Sequence, residues 1–194
     1  METIRMPQAP SGFDTVPSLP WGSHITHFFR TGDDLRDMLV PYFKAGLENN
    51  ERCLWVTGGD FNAQQARAAL RAVVPDLDMR ESAGQIDIQD THRFYAPGQK
   101  LKPHALVDGL IQAERDALGA GYAGLRTSGN CAWVDRSQWK DFEIYESLVQ
   151  QAVRSRRMIC LCSYCTSQGS DLIAVMDTHD FAISSRRRPT CEAV

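Results

Sequence analysis

The sequence predicts an α/β protein, with a mainly parallel sheet covered by helices on both faces. Three observations predict it. Short apolar runs alternate with longer stretches at helical spacing along the whole chain. The runs are continuously apolar rather than alternating, as expected of strands buried on both sides. With 194 residues, 43% of them hydrophobic and 23% charged, the chain can bury one substantial core. A single domain over residues 21–186 is expected.

Residues 1–20 carry Pro7, Pro10, Pro17 and Pro20 with Ser11 and Gly12 among them. That composition extends the backbone and offers little to bury, so it predicts a flexible arm. His24–Phe29 reads as the first strand. Asp33, Asp34 and Leu35 follow, then Leu39, Phe43 and Leu47 at helical spacing, a helix with aspartate near its start. Cys53–Thr57 is a second strand ending in Gly58 and Gly59, and residues 63–74 form an alanine-rich helix stopped by Pro75. Gln85–Gln89 supplies another strand.

Pro103–Leu118 reads as a helix with proline at its start and Gly119 and Gly121 past its end. Gly124–Ser128 is a short strand. Asp135–Val153 is an amphipathic helix with Trp139, Phe142, Tyr145 and Leu148 on its core face. Met158–Tyr164 is a strongly apolar strand, Leu172–Met176 a brief helix and Phe181–Ser185 a last strand. Residues 187–194 read as a tail.

The bulk numbers exclude several functions. A net charge of -3 supplies no positive field for a phosphate backbone, so no direct nucleic-acid partner is expected. No apolar run reaches the roughly 20 residues of a membrane span, and the first residues lack a secretory layout, so a cytoplasmic protein is expected. Six cysteines are too few for a disulfide framework at this length. There is no Gly-x-Ser-x-Gly elbow or recognisable protease cysteine, and no catalytic residue is nominated.

In parallel sheets, ligands bind beyond the carboxyl ends of the strands. That rule points to a small-molecule pocket bordered by His24, Phe29, Thr57, Arg126, Asn130 and Tyr164. Arg126 would orient an anionic or carbonyl group, while Phe29 and Tyr164 supply wall. The competing reading pairs Arg126 with Glu143 or Glu146 and leaves Asn130 in a turn. Cys160, Cys162 and Cys165 form C-x-C-x-x-C. They are candidate metal or redox ligands, completed by Cys131, His24 or His27, although buried strand cysteine is the plainer reading. His24 and His27 fall on opposite faces of their strand.

Three blocks carry a family resemblance: Gly22-Ser23-His24-Ile25-Thr26-His27-Phe28-Phe29, the run from Leu39 to Thr57, and Gly124-Leu125-Arg126-Thr127-Ser128-Gly129-Asn130 with Trp133. Together they resemble the MEDS family, the methanogen/methylotroph, DcmR sensory domain, over about residues 21–186. The resemblance implies a non-catalytic sensory or signal-input domain that recognises small molecules such as one-carbon or halogenated compounds. It also implies a histidine kinase or transcription regulator as partner, here on a separate chain. Thr26 and Phe29 stand where the family often has Cys and Tyr. A metal or redox sensor using the cysteine cluster is the alternative.

Phe43 to Leu47 and Cys53 to Thr57 further resemble KaiC-like RecA ATPases, which implies a three-layer sandwich. The preceding Arg30-Thr31-Gly32-Asp33-Asp34-Leu35-Arg36 has one glycine, no Gly-Lys-Thr/Ser and two aspartates. A phosphate cradle needs glycines, a lysine and a hydroxyl, and aspartates at a helix start repel phosphate, so a scaffold without nucleotide hydrolysis is expected.

Overall fold

The computed structural model describes residues 7–95, 100–134, 137–166 and 176–184. Six strands form one sheet: β3 (His24–Phe29), β4 (Arg52–Thr57), β5 (Ile86–Asp90), β6 (Leu125–Asn130), β7 (Met158–Cys165) and β8 (Phe181–Ser184). Their order across the sheet is β5-β4-β6-β7-β3-β8, and every neighbouring pair is parallel. Helices α1 (Gly32–Glu48) and α2 (Ala63–Arg71) follow β3 and β4, with the short α3 (Leu77–Ser82) after them. Beyond β5 come the single turn α4 (Thr91–Phe94), then α5 (Pro103–Gly119) and, after β6, α6 (Trp139–Val153).

Two cores follow from the side-chain alternation of the strands. Leu39, Tyr42, Phe43 and Leu47 of α1 pack on Ile25, Trp55 and Leu161. On the opposite face, Leu110 of α5 and Phe142, Tyr145 and Val149 of α6 pack on Leu125, Cys162 and Tyr164. The aromatic stripe of α6 is therefore core, as its spacing predicts. Among the described residues, no helix is long and apolar enough to cross a membrane.

The first twenty residues depart from expectation. From residue 7 onward the presumed flexible arm is ordered, and β1 (Gln8–Pro10) pairs antiparallel with β2 (Ser18–Pro20). Ala9, Ser11, Leu19 and Trp21 are buried. The hairpin crosses α1 so closely that a Cβ on Gly12 would stand 2.2 Å from the carbonyl oxygen of Pro41, and Gly12 has φ +85°. Only glycine fits that approach and that backbone region. The short helix expected at Leu172–Met176 and the tail at 187–194 lie outside the described residues, apart from Met176.

Candidate functional site

Arg126 does not face a ligand pocket. It stands near the amino-terminal end of β6, fully buried, and pairs with neither Glu143 nor Glu146. Its Nε donates to Glu51 Oε2 at 2.6 Å and Nη2 to Glu51 Oε1 at 2.9 Å. The remaining bonds go to main-chain carbonyls: Nη1 to Tyr42 at 2.9 Å and Ser11 at 3.3 Å, Nη2 to Pro10 at 2.6 Å. All five guanidinium donors are used, so none is left for a ligand. The pair ties the hairpin to α1 and β6. Gly46 makes room for it, since a Cβ there would lie 2.6 Å from Arg126 Nε.

The other expected pocket residues also separate. Thr57 donates its hydroxyl to the carbonyl of Phe61. Asn130 Nδ2 donates to the Gly58 carbonyl at 3.0 Å while its Oδ1 accepts from Ala132 N. Both therefore staple loops at the strand ends. Phe29 belongs to the core beneath α1, whereas His24 and Tyr164 face α6. Phe29 thus lies on one face of the sheet and His24 and Tyr164 on the other, as parity along each strand sets.

The start of α1 is closed by a capping box. Thr31 caps α1: its hydroxyl accepts from Asp34 N at 3.2 Å. Asp34 Oδ2 accepts from the backbone N–H groups of both Arg30 and Thr31 at 3.0 Å. The bond from Thr31 N completes the box, as Gln65 does with Asn62 at α2. The neighbouring basin of about 450 Å³ is bordered by Asp33, Arg36, Asp60 and Gln65. Arg36 is paired there with Asp33 and Asp37.

The described residues place the unusual chemistry in the interior, on the face covered by α5 and α6. A narrow cavity of about 20 Å³ is lined by Val56, Tyr95, Thr127, Gly129, Tyr145 and Cys162, among others. Beside it, His24 Nε2 lies 3.2 Å from Glu146 Oε2 and 3.4 Å from Cys162 Sγ. His179 Nε2 lies 3.4 Å from the same Glu146 oxygen. Glu146 and Cys162 are buried, and the two imidazoles stack with centroids 3.9 Å apart.

Burial alone would lower the His24 pKa, but the Cys162 sulfur and the Glu146 carboxylate reverse that and carry it up to about 10. The hydrogen bond with Cys131 and burial push the Cys162 thiol well above its ordinary range. His27, on the other face beside Ser163, has only burial acting strongly on it and falls to about 4.

The thiol trio expected from the C-x-C-x-x-C spacing does not assemble. Cys160 and Cys162 face α6, but Cys165 belongs to the core under α1. Of the expected completing ligands, His24 meets Cys162, and Cys131 hydrogen-bonds with it, whereas His27 faces away. Sequence reasoning nominated Glu146 only as an arginine partner and missed His179. The available signal for His179 was its position just before the last predicted strand, which parallel pairing brings beside His24.

The model of the MEthanogen/methylotroph, DcmR Sensory domain matches residues 23–180. The chain belongs to the MEDS family. Its match spans β3 to the residue before β8, including both the capped helix start and the interior cluster. No curated protein matches the chain. Among solved structures, it is similar to a KaiC-like protein, PH0186, from Pyrococcus horikoshii OT3. The TM-score is 0.62 at 14% identity, with 95% of this chain and 84% of that chain covered. It is also similar to the flagellar accessory protein FlaH from Methanocaldococcus jannaschii, with TM-score 0.57 at 9% identity and coverage of 94% and 80%. At these identities the likeness fixes the fold of this MEDS chain as the KaiC/RecA-like α/β sandwich expected from its sequence.

Proposed function

We propose that this MEDS chain is a non-catalytic signal-input domain. It takes a small molecule into the interior cavity beneath α5 and α6 and passes the result to a histidine kinase or transcription regulator. The observation that carries the non-catalytic part of this reading is the start of α1, where Asp33 and Asp34 stand with no lysine and Asp34 accepts from the N–H groups of Arg30 and Thr31. The basin beside that helix start is bordered by Asp33 and Asp60, whose charges disfavour a phosphate. The family's sensory character then points to the cavity as the place where a ligand acts.

The cavity sets the ligand's size. About 20 Å³ exceeds the 10–15 Å³ that a single water requires and falls far short of a nucleotide. Its wall is mostly apolar, with hydroxyls from Thr127, Tyr95 and Tyr145 and the Cys162 thiol. One-carbon compounds, which the family resemblance implies, would enter a space with room for about one water only as its walls give way.

The test is a thermal-shift and calorimetric panel of methanol, formaldehyde, methylamine and dichloromethane. At least one should raise the melting temperature of the wild-type protein. Gly129→Ala should cancel that response, because its Cβ would stand 2.4 Å from the Tyr95 hydroxyl in the cavity wall. Thr127→Val, which keeps the shape and removes a hydroxyl, should weaken binding by about 1 kcal/mol. No response to the panel, or a response unchanged in both variants, contradicts the interior cavity as the sensing site.

A further inference from the structure

Four donor side chains meet under α6, each from a different part of the chain: His24 from β3, Glu146 from α6, Cys162 from β7, and His179 from the segment leading into β8. One donor atom from each lies within 4.8 Å of all the others. Ligands held about 2.0–2.3 Å from a tetrahedral ion stand roughly 3.3–3.8 Å from one another. The contacts of 3.2–3.4 Å between His24, Glu146, Cys162 and His179 lie close to that spacing. We propose that His24 Nε2, His179 Nε2, Cys162 Sγ and a Glu146 carboxylate oxygen form a mononuclear site for a zinc-class divalent metal ion.

Three further features fit an ion. The outer ring nitrogen of His24 is held in place: Nδ1 lies 3.0 Å from the Thr178 carbonyl and 3.2 Å from Gln150 Oε1. A carbonyl can only accept, so Nδ1 carries a proton, and Nε2, which faces Glu146 and Cys162, is the atom an ion would take in exchange for its proton. Gln150 is in turn held by Asp180, which also accepts from His24 N. The Glu146 Oε1 and Tyr164 Oη atoms are buried without hydrogen-bond partners. Glu146 is buried against two imidazoles, and a divalent ion bound by one thiolate and one carboxylate would leave the buried site electrically neutral.

Metal binding would release the Cys162 thiol proton and the His24 Nε2 proton to solvent, so affinity should rise with pH. The nitrogen, sulfur and oxygen donor set suits zinc better than magnesium or calcium. The ion would add to the backbone bond from Asp180 N to the His24 carbonyl in fastening the segment before β8 to the sheet, and would tie that segment to α6. The assignment does not depend on an organic ligand in the neighbouring cavity, and the experiment is run without one.

The test is elemental analysis of the full chain purified without added metal, followed by stripping and titration with Zn²⁺ or Co²⁺. About one metal per chain is expected, with a thiolate-to-cobalt charge-transfer band and tetrahedral ligand-field bands. Cys162→Ser should abolish the charge-transfer band. His179→Ala, at a position outside the strands, should weaken affinity more than about tenfold. Cys160→Ala, whose sulfur is outside the group, should change neither; circular dichroism reports folding throughout. A folded wild-type chain that takes up no stoichiometric metal overturns the site. So does a cobalt spectrum without the thiolate band, or one lost equally in Cys160→Ala.

Discussion

Replacing Arg126 with alanine is expected to destabilise the domain by about 3–5 kcal/mol, a large share of the 5–15 kcal/mol that a domain of this kind holds. The cost is not the value of one ion pair. Glu51 is fully buried, and without the guanidinium its carboxylate would remain in the interior with no countercharge. Three carbonyls, those of Pro10, Ser11 and Tyr42, would lose their donors at the same time. The stacking of the guanidinium on the Tyr42 ring, 4.6 Å from its centroid, would go as well.

The pattern across variants distinguishes this account from simple loss of packing. Glu51→Ala should be comparably severe, whereas the double change Arg126→Met with Glu51→Leu should cost less than either single change, because no buried charge is left behind. The Arg126→Ala protein should also be cleaved by protease between residues 7 and 20, where the hairpin loses its anchor. Urea denaturation of the four proteins checks the first pattern and limited proteolysis the second. A mild loss in Arg126→Ala, within about 1 kcal/mol, would mean that the buried pair is not what holds the hairpin.

The second large effect is expected at Trp55, in the centre of β4. Its ring is fully buried, stacked on Phe43 at 4.6 Å and tilted against Phe61 at 5.9 Å. Trp55→Ala should cost about 3–5 kcal/mol through lost burial and the cavity left behind. Trp55→Phe should cost far less, because the indole N–H is buried without a hydrogen-bond partner. Removing an unsatisfied donor relieves about 1–3 kcal/mol, which offsets part of the smaller ring's lost contacts. Thermal unfolding of the two variants checks this. Equal losses would mean that the N–H is satisfied in solution.

The contrast between these two sites shows what the sequence could reveal. Strand β3 was legible to the residue, His24–Phe29, because its apolar run is bounded by a turn and a capped helix. Helix α5 was legible because proline opens it and Gly119 and Gly121 mark its end. The order of the strands follows from the alternation of strands and helices only in outline. The hairpin was not legible: Ala9 and Leu19 are two apolar residues among prolines, and they are ordered by Arg126, more than a hundred residues away. Glu51 hides for the same reason, since Asn49-Asn50-Glu51 reads as a solvated turn until the fold places it beneath Gly46.

The interior cluster was half legible. Parity along β7 puts Cys160 and Cys162 on one face and Cys165 on the other, which is visible in the sequence and rules against the thiol trio. The approach of Glu146 and His179 to His24 depends on the tilt of α6 and on the pairing of β8 with β3. No local pattern encodes either. The resemblance to RecA ATPases, by contrast, was useful through what it lacked, since Thr31, Asp33 and Asp34 stand where glycine and lysine would be needed.

With Asp33 and Asp34 at the start of α1 and no lysine beside them, this KaiC/RecA-like fold is expected to bind no nucleotide. Calorimetric titration of the purified chain with ATP and GTP in the presence of magnesium tests it most directly, with phosphate release followed on the same samples. The account predicts no binding heat at millimolar nucleotide and no release above background. Saturable binding, or phosphate release that disappears in Asp33→Ala or Asp34→Ala, would contradict it.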